Sequence, residues 1–515
     1  TTTGKTVTTN GVSFASVNFS GVGGGWTLGS ALTCTSTFQV ETGTIDTSAS
    51  GNYAVTANFF SSSTSSVRTI NLNASTVTLS GNGWNMSTST NATLNAGTST
   101  INLSSATAGF TGGGLTYYNV AFTSTALSAS PSITGANTFN NLTITGRTTS
   151  ANQTINGTLT VSAGTAAAYR IMLRSDTVGT TRTLTCAAVS FTDTDFRDIT
   201  IAGAASPASG TRLGDDKGNS GITFDAAKTV YYRQTGSANW GATGSGSWSA
   251  TSGGALDATM FPLSQDTAVF PAATYPASGS TTTINSSYQI GTIDMSLRTS
   301  NTMTLATGST FPAIYGNWIN GTGITLSGTG SLFFSGRATQ QITSAGRSFA
   351  QPITIESPSG SVTLQDALTT GTGVTTTLTS GTLDLNGFTY TVGTSFTTAT
   401  GTKNLTFNGG TLVCPAATTT AFNNAVPTGF TTTAGTGTGV ISMTAATAKT
   451  FVGGGSTFNC TLNQGGAGTL TITGSNTFSN ITNTVQPASV LFTAATTSTF
   501  TNFNLSGTSG NLITI

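Results

Sequence analysis

The sequence predicts an all-β chain, an elongated parallel β-solenoid assembled from internal repeats. Three observations predict it: segments that return in the same order far along the chain, short stretches in which Thr alternates with apolar residues, and the absence of any helical periodicity. Tandem β-sandwich domains are the alternative. They would repeat at about 100 residues with clear linkers, and no Pro-rich or charged linker is present.

The repeats come first because they constrain the whole chain. Phe110-Thr-Gly-Gly-Gly114 returns as Phe451-Val-Gly-Gly-Gly455. Ile133-Thr-Gly-Ala-Asn-Thr-Phe139-Asn-Asn-Leu142 returns as Ile472-Thr-Gly-Ser-Asn-Thr-Phe478-Ser-Asn-Ile481. Upstream, Thr27-Leu28 with Ala31-Leu32-Thr33 matches Thr363-Leu364 with Ala367-Leu368-Thr369. Gly43-Thr-Ile-Asp46 matches Gly381-Thr-Leu-Asp384, with a third copy at Gly291-Thr-Ile-Asp294. Low complexity alone would not preserve this order. A shorter element, a strand end followed by a small-residue turn and a Phe, recurs at Phe14, Phe139, Phe349 and Phe478. The 22 residues from Phe478 to Phe500 match the length of one structural repeat.

Alternation comes next. Thr158-Leu-Thr-Val161 and Thr469-Leu-Thr-Ile-Thr473 have the period of two that half-buries a strand. Gly, Asn and Ser clusters between such runs supply the positive φ angles of tight turns. In a solenoid each coil buries its apolar face on the next, and stacked backbones satisfy one another at about 4.8 Å per coil.

Composition narrows the function. Only 6% of the 515 residues are charged and the net charge is +1, so there is no basic footprint for nucleic acid. No apolar run reaches the length of a membrane span. Phe numbers 28, more than a disordered chain would carry. The absence of histidine excludes a Ser-His-Asp triad and His-ligated zinc. Cys34, Cys186, Cys414 and Cys460 are far apart and form no CxxC pair, so they read as small buried residues, with disulfides open in an oxidising compartment. No cofactor is implied.

The plan divides into repeat regions 1–164 and 281–515, separated by a charge- and Trp-enriched segment, 165–280, read as an insertion or an irregular stretch. Of the 31 charged residues, 17 lie between Arg170 and Asp266. Loops on a rigid scaffold commonly carry binding function, so the candidate sites fall here. Asp193, Asp195, Asp198, Asp215 and Asp216 form the one dense supply of carboxylates. As a pair they could cut a glycosidic bond; otherwise they cap turns and pair with Arg197, Arg212 and Lys217. Asp193, Asp195 and Asp198 also offer hard oxygens for calcium, at a spacing unlike an EF-hand loop. Tyr231, Tyr232, Trp240 and Trp248 are candidates for stacking on sugar rings, or else close a core. Asn-x-Ser/Thr triplets, for example at Asn73, Asn91 and Asn404, would be modified only in a host that secretes and glycosylates.

Asn137-Thr-Phe-Asn-Asn-Leu-Thr-Ile144, Gly381-Thr-Leu-Asp-Leu-Asn-Gly387 and the stretch from Asn239-Trp240 to Asp266-Thr-Ala-Val-Phe270 resemble the repetitive β-helical proteins of phage virions and bacterial surfaces. The resemblance implies a β-helical fold and a role as fibre, spike or adhesin; it carries over no catalytic residue. The expected function is an extracellular, cell-surface or virion structural or adhesive fibre. A polysaccharide-degrading spike and a glycan-binding adhesin are the alternatives. An uncovered solenoid end presents unpaired backbone groups. The expected partners are therefore further copies of the chain or other virion or surface proteins, with surface glycans as further candidates.

Overall fold

The computed structural model describes all residues except Thr1, 125–130, 146–147, 163–169, 243, 245, 273 and 417–419. The expected boundary at 164/165 therefore lies outside the described residues. The described residues contain no helix, and their stacked parallel strands make a β-solenoid of about 22 turns. The chain forms two compact units, Thr1–Ala226 and Ala227–Ile515.

In the first unit every paired strand runs parallel to its neighbours one coil away. Registration is residue on residue. Leu32, Val55, Val77, Ile101, Val120, Leu142, Leu159 and Val189 lie in one column. All but the half-buried Val189 are at most 1% exposed. The next residue of each strand points outward and is short and uncharged: Thr33, Thr56, Thr78, Asn102, Ala121, Thr143, Thr160 and Ser190. This is the period-two pattern made physical: one face removes apolar surface from water, about 1.5–3 kcal/mol for each fully buried Val, Leu or Ile, and the other stays wetted by hydroxyls. A second column is aromatic. Phe19, Phe38, Phe60, Trp84, Phe110 and Phe139 follow one another with ring centroids 3.8–6.4 Å apart.

The charge-rich segment enters the same stack. Ile171–Ser175 pairs with Thr148–Ser150, Arg182–Thr192 with Gln153–Ser162, and Thr194–Arg197 with Ile171–Ser175. In the second unit the strand pairing is again parallel, except where Tyr231 and Tyr232 meet Ser249 and Trp248 in an antiparallel pair and where Thr508 and Asn511 form an isolated antiparallel bridge. Phe396, Phe422, Phe451, Phe478 and Phe500 form its aromatic column.

The repeated motifs build the same local structures in both units. Asn137 and Asn476 are each 1% exposed. The Asn137 amide donates to the Thr134 and Gly135 carbonyls and its oxygen accepts from Gly114 N. Asn476 does the same with Thr473, Gly474 and Gly455. The Phe of the recurring strand-turn-Phe element is fully buried at 139, 349 and 478, whereas Phe14, in the first coil, is 38% exposed. The four cysteines are buried and unpaired, acting as small core residues.

Candidate functional site: a duplicated bulged corner and its groove

The carboxylates picked out from sequence are brought together, but on guanidinium groups. Arg170 holds Asp195 with Nε at 2.8 Å and Nη2 at 2.7 Å from Oδ1. Its Nη1 lies 3.6 Å from Asp193, and Arg212 binds the same Asp193 through Nε at 2.6 Å and Nη2 at 2.7 Å. Asp198 accepts from Gly179 N at 2.8 Å. Asp193, Asp195 and Asp198 are each 2% exposed, and Asp216 is fully buried. Asp215, half-buried, binds Lys217 Nζ at 2.9 Å and Asn219. Neither a glycosidic bond nor a hydrated calcium ion can reach Asp193, Asp195, Asp198 or Asp216, each at most 2% exposed. Among the described residues no group of three His, Cys, Asp or Glu is placed to hold a metal ion. Asp193, Asp195 and Asp198 tie neighbouring coils together, whereas Asp215 binds within its own turn. Positive φ at Asp193, Asp198, Arg212 and Lys217 marks the sharp turns they stabilise.

Three of the four aromatic candidates lie inside the stack. Tyr232 and Trp240 are fully buried and Trp248 is 1% exposed. Trp240 and Trp248 pack edge to face at 4.6 Å, and Tyr232 stacks on Phe270 at 4.9 Å. Their ring faces are taken by one another. Tyr231 is half-buried.

A different site emerges where the upstream repeat lies. The strand Val17–Leu28 bulges between Ser20 and Gly25 against Thr37–Asp46. The strand Ile353–Leu364 bulges between Glu356 and Ser361 against Thr375–Asp384. In both units the bulge is faced by a glycine with positive φ, Gly43 at 88° and Gly381 at 84°. A Cβ on Gly43 would stand 2.6 Å from the Gly21 carbonyl oxygen, and one on Gly381 would press into that of Ser357. The aspartates ending the motif cap the next turn. Asp46 accepts from Ser48 N and Asn73 Nδ2; Asp384 accepts from Asn386 N and Asn408 Nδ2.

One coil further on, both corners hold a buried cation. Gly43 lies in register with Arg68, and Gly381 with Lys403. Each cation is 1% exposed. Arg68 donates to the carbonyls of Ser62, Ser66, Thr88 and Thr90 and to the Ser62 hydroxyl. Lys403 donates to those of Gly401 at 3.1 Å and Thr428 at 2.9 Å. The equivalence is positional: Ser66 and Gly401 precede the cation by two residues, and Thr90 and Thr428 precede its partner in the next coil by two. Lys449 repeats the device on the carbonyls of Ala445, Gly466 and Gly468. Corner carbonyls turned inward serve as the solvation shell of these ions. Burial pushes Arg68 and Lys403 below their ordinary values and Lys449 down to about 8. The signal was present in the sequence, since Arg68 and Lys403 sit 335 residues apart inside the aligned repeat. A lone cation between Thr residues gives no hint that it faces inward.

The first unit's corner also opens a groove of about 700 Å³. Its lining includes Gly23, Trp26, Thr44, Asp46, Thr69 and Asn91, drawn from successive coils. Trp26 is half-buried, whereas Trp84, Trp240, Trp248 and Trp318 are all at most 1% exposed. No family model, curated protein or solved structure matches the chain.

Proposed function

We propose that the chain is a non-enzymatic structural or adhesive protein of a virion or cell surface, working outside a cytoplasm. One observation carries this reading. The acids, cations and aromatic rings dense enough to build a reactive centre are turned into the stack, where they bind coil to coil: Asp193 and Asp195 through Arg170 and Arg212, and Tyr232, Trp240 and Trp248 through one another. What remains outside on the columns is a wall of Thr, Ser and Asn, well suited to a passive scaffold in water.

Such a scaffold joins other units through its strand edges. The strand Thr499–Asn504 is largely exposed, and Phe503, at 49% exposure, lies beside Phe500. An edge of this kind accepts a further coil, of its own polypeptide or of a second copy. Electron microscopy of the purified chain over a range of concentration tests this. Lateral or end-to-end assemblies are expected, and isolated particles at every concentration would overturn self-association. Incubation with bacterial surface polysaccharide tests the non-enzymatic half. The polysaccharide should keep its length; shortened chains would replace this reading with a polysaccharide-cleaving one.

A further inference from the structure

The duplicated Gly-Gly-Gly motif marks a step in each unit. In the first unit, residues 86–99 carry the chain from Thr76–Asn85 to Thr100–Leu103 and form a further strand, Ala92–Asn95, on the way. One coil later, residues 112–115, Gly-Gly-Gly-Leu, lead from Gly109–Thr111 to Thr116–Phe122 with no such strand. The row that runs through Lys5, Trp26, Ile45 and Ile70 on successive coils therefore ends at Ala92–Asn95. That strand pairs with Arg68–Asn71 on one side and, among the described residues, forms no ladder on the other. The second unit repeats the step: Phe430–Thr433 ends the matching row, and Gly453-Gly454-Gly455 follows one coil later.

The two ledges are finished differently. Leu94 and Thr432 occupy the same place, in register with Ile70 and Leu405. On the paired side, the Asn91 and Asn95 carbonyls accept from Arg68 N and Leu72 N. Alternation along a parallel strand then turns the Leu94 N–H and C=O to the open side. In the second unit the matching carbonyl, Thr432 O, accepts from Asn459 Nδ2 at 2.7 Å, and the Thr432 hydroxyl accepts from Asn459 N at 2.7 Å. Asn459 sits in a bulge, where Asn459 and Cys460 replace the single Tyr118 of the first unit. The first unit cannot copy this cap, because Leu94 has no hydroxyl and Tyr118 no amide. Burial follows. Phe430 and Thr432 are 7% and 4% exposed, whereas Ala92 and Leu94 at the same two places are only half-buried.

The outer face selects what completes the ledge. Asp46, Asn71 and Asn95 are in register on successive coils. Asn71 Nδ2 donates to Asp46 Oδ2 at 3.3 Å, and Asn95 Nδ2 donates to Asn71 Oδ1 at 2.8 Å. The carboxylate heading the row can only accept, which fixes the direction of the whole row. Each amide gives its N–H to the coil before and presents its oxygen to the coil after, and the exposed Asn95 presents its oxygen at the ledge. An added strand needs an amide donor in register with Asn95 and an apolar side chain beside Leu94. It should carry no charge, since Arg68, in register with Ala92, is enclosed and already bonded to main-chain oxygens. Thr-Ile-Asn-Leu meets these demands, and the chain itself stacks that sequence twice, at 69–72 and 100–103.

We propose that the first unit's ledge is a docking site for a donor strand: an extended, uncharged Thr-apolar-Asn segment of a separate polypeptide, hydrogen-bonded along Ala92–Asn95. The site extends the scaffold reading above to a partner protein. Microscopy reads assembly through Thr499–Asn504 and peptide binding reads the ledge, so each can fail without the other.

The test titrates the intact chain into a fluorescein-labelled peptide, Ser-Thr-Ile-Asn-Leu-Ser, blocked at both ends, and follows its anisotropy. Saturable binding is expected. N-methylation of the peptide's Asn removes the N–H that meets Leu94 O in this register, and should weaken binding about tenfold or more. An Asp in place of that Asn sets an acceptor against the Asn95 oxygen and should weaken it several-fold. On the protein side, Leu94→Lys puts a charge on the edge and should abolish binding with the melting profile kept. Asn95→Ala should weaken the Asn peptide and bring it level with the Asp peptide, an effect that a merely structural role would not produce. No saturable binding at concentrations on the order of 1 mM, equal binding of the N-methylated peptide, or an Asn-over-Asp preference unchanged in Asn95→Ala would each overturn the proposal. So would assembly of the chain alone that Leu94→Lys dissolves, which would give the ledge to a second copy.

Discussion

The two bulged corners differ less in architecture than in what they leave exposed. Both keep a strand bulge, a glycine at positive φ facing it, an aspartate capping the next turn and a cation one coil beyond, in the residue pairs Gly43/Gly381, Asp46/Asp384 and Arg68/Lys403. They part at Trp26 and Val362 and in the bulge itself. The shared features are those whose removal would leave buried polar groups unmatched or force backbone atoms together. The divergent ones are those the stack tolerates changing. Duplication thus sorts the residues of one corner into those required for stacking and those free to take on another role.

Cation removal should break the comparison most severely. Arg68→Ala leaves four carbonyl oxygens and a hydroxyl without their donor, and should destabilise the protein by about 4 kcal/mol. Lys403→Ala strands two, and should cost about 2 kcal/mol. Denaturant midpoints of the two variants measure the difference; equal losses would mean that the number of oxygens served does not set the energy.

Gly43→Ala and Gly381→Ala test the feature both corners share. Each forces a Cβ at positive φ into a backbone oxygen, for about 3 kcal/mol in either unit. A variant melting like the wild type would show that its bulge relaxes freely.

Alkaline pH separates the units by a smaller amount. Burial pushes Cys186, in the first unit, and Cys414, in the second, up to about 12. An unfolded thiol ionises near 9, so the folded chain keeps a proton that the unfolded chain releases. The stability from each thiol is whole below pH 9 and drains between pH 9 and about 12, by roughly 2 kcal/mol at pH 10.5. Lys449, in the second unit alone, acts oppositely. Its folded value of about 8 lies below the ordinary 10.5, so the folded state sheds its proton first and stability rises between those two pH values. Unfolding at pH 7, 9 and 10.5 should show Cys186→Ala and Cys414→Ala losing less with pH than the wild type, and Lys449→Met losing more. Slopes indistinguishable from the wild type would remove burial as the cause.

Exchanging the divergent residue gives the smallest change. Val362→Trp overpacks a fully enclosed position and should cost about 2 kcal/mol, while Trp26→Val should cost less than about 1 kcal/mol. A reversed order, read from melting temperatures, would show that Trp26 holds the first unit together.

Much of the fold was legible because a solenoid writes its geometry into spacing. Alternation in Thr158-Leu-Thr-Val161 reports which residues face inward, and ordered copies such as Ile133–Phe139 and Ile472–Phe478 report the stacking plan. The site was legible only in outline. Asp193 and Asp195 are spaced as alternate residues should be, but spacing does not say that Arg170, more than twenty positions earlier, lies just before the neighbouring strand Ile171–Ser175. Tyr232, Trp240 and Trp248 are large and cluster in Gly-rich sequence, which suits a surface platform and a core equally; burial decides between them, and burial depends on coils distant in sequence.

Arg68, Lys403 and Lys449 each take oxygens from the coil made after their own: Thr88 and Thr90, Thr428, and Gly466 with Gly468. During synthesis, therefore, a newly emerged turn bearing one of these residues keeps its charge in water until the oxygens of the following coil have been made. Closure at these three places must wait for the following segment, so maturation proceeds in linked steps from amino towards carboxyl end, and a chain interrupted just past any of them would be left with an unfinished, hydrated lip.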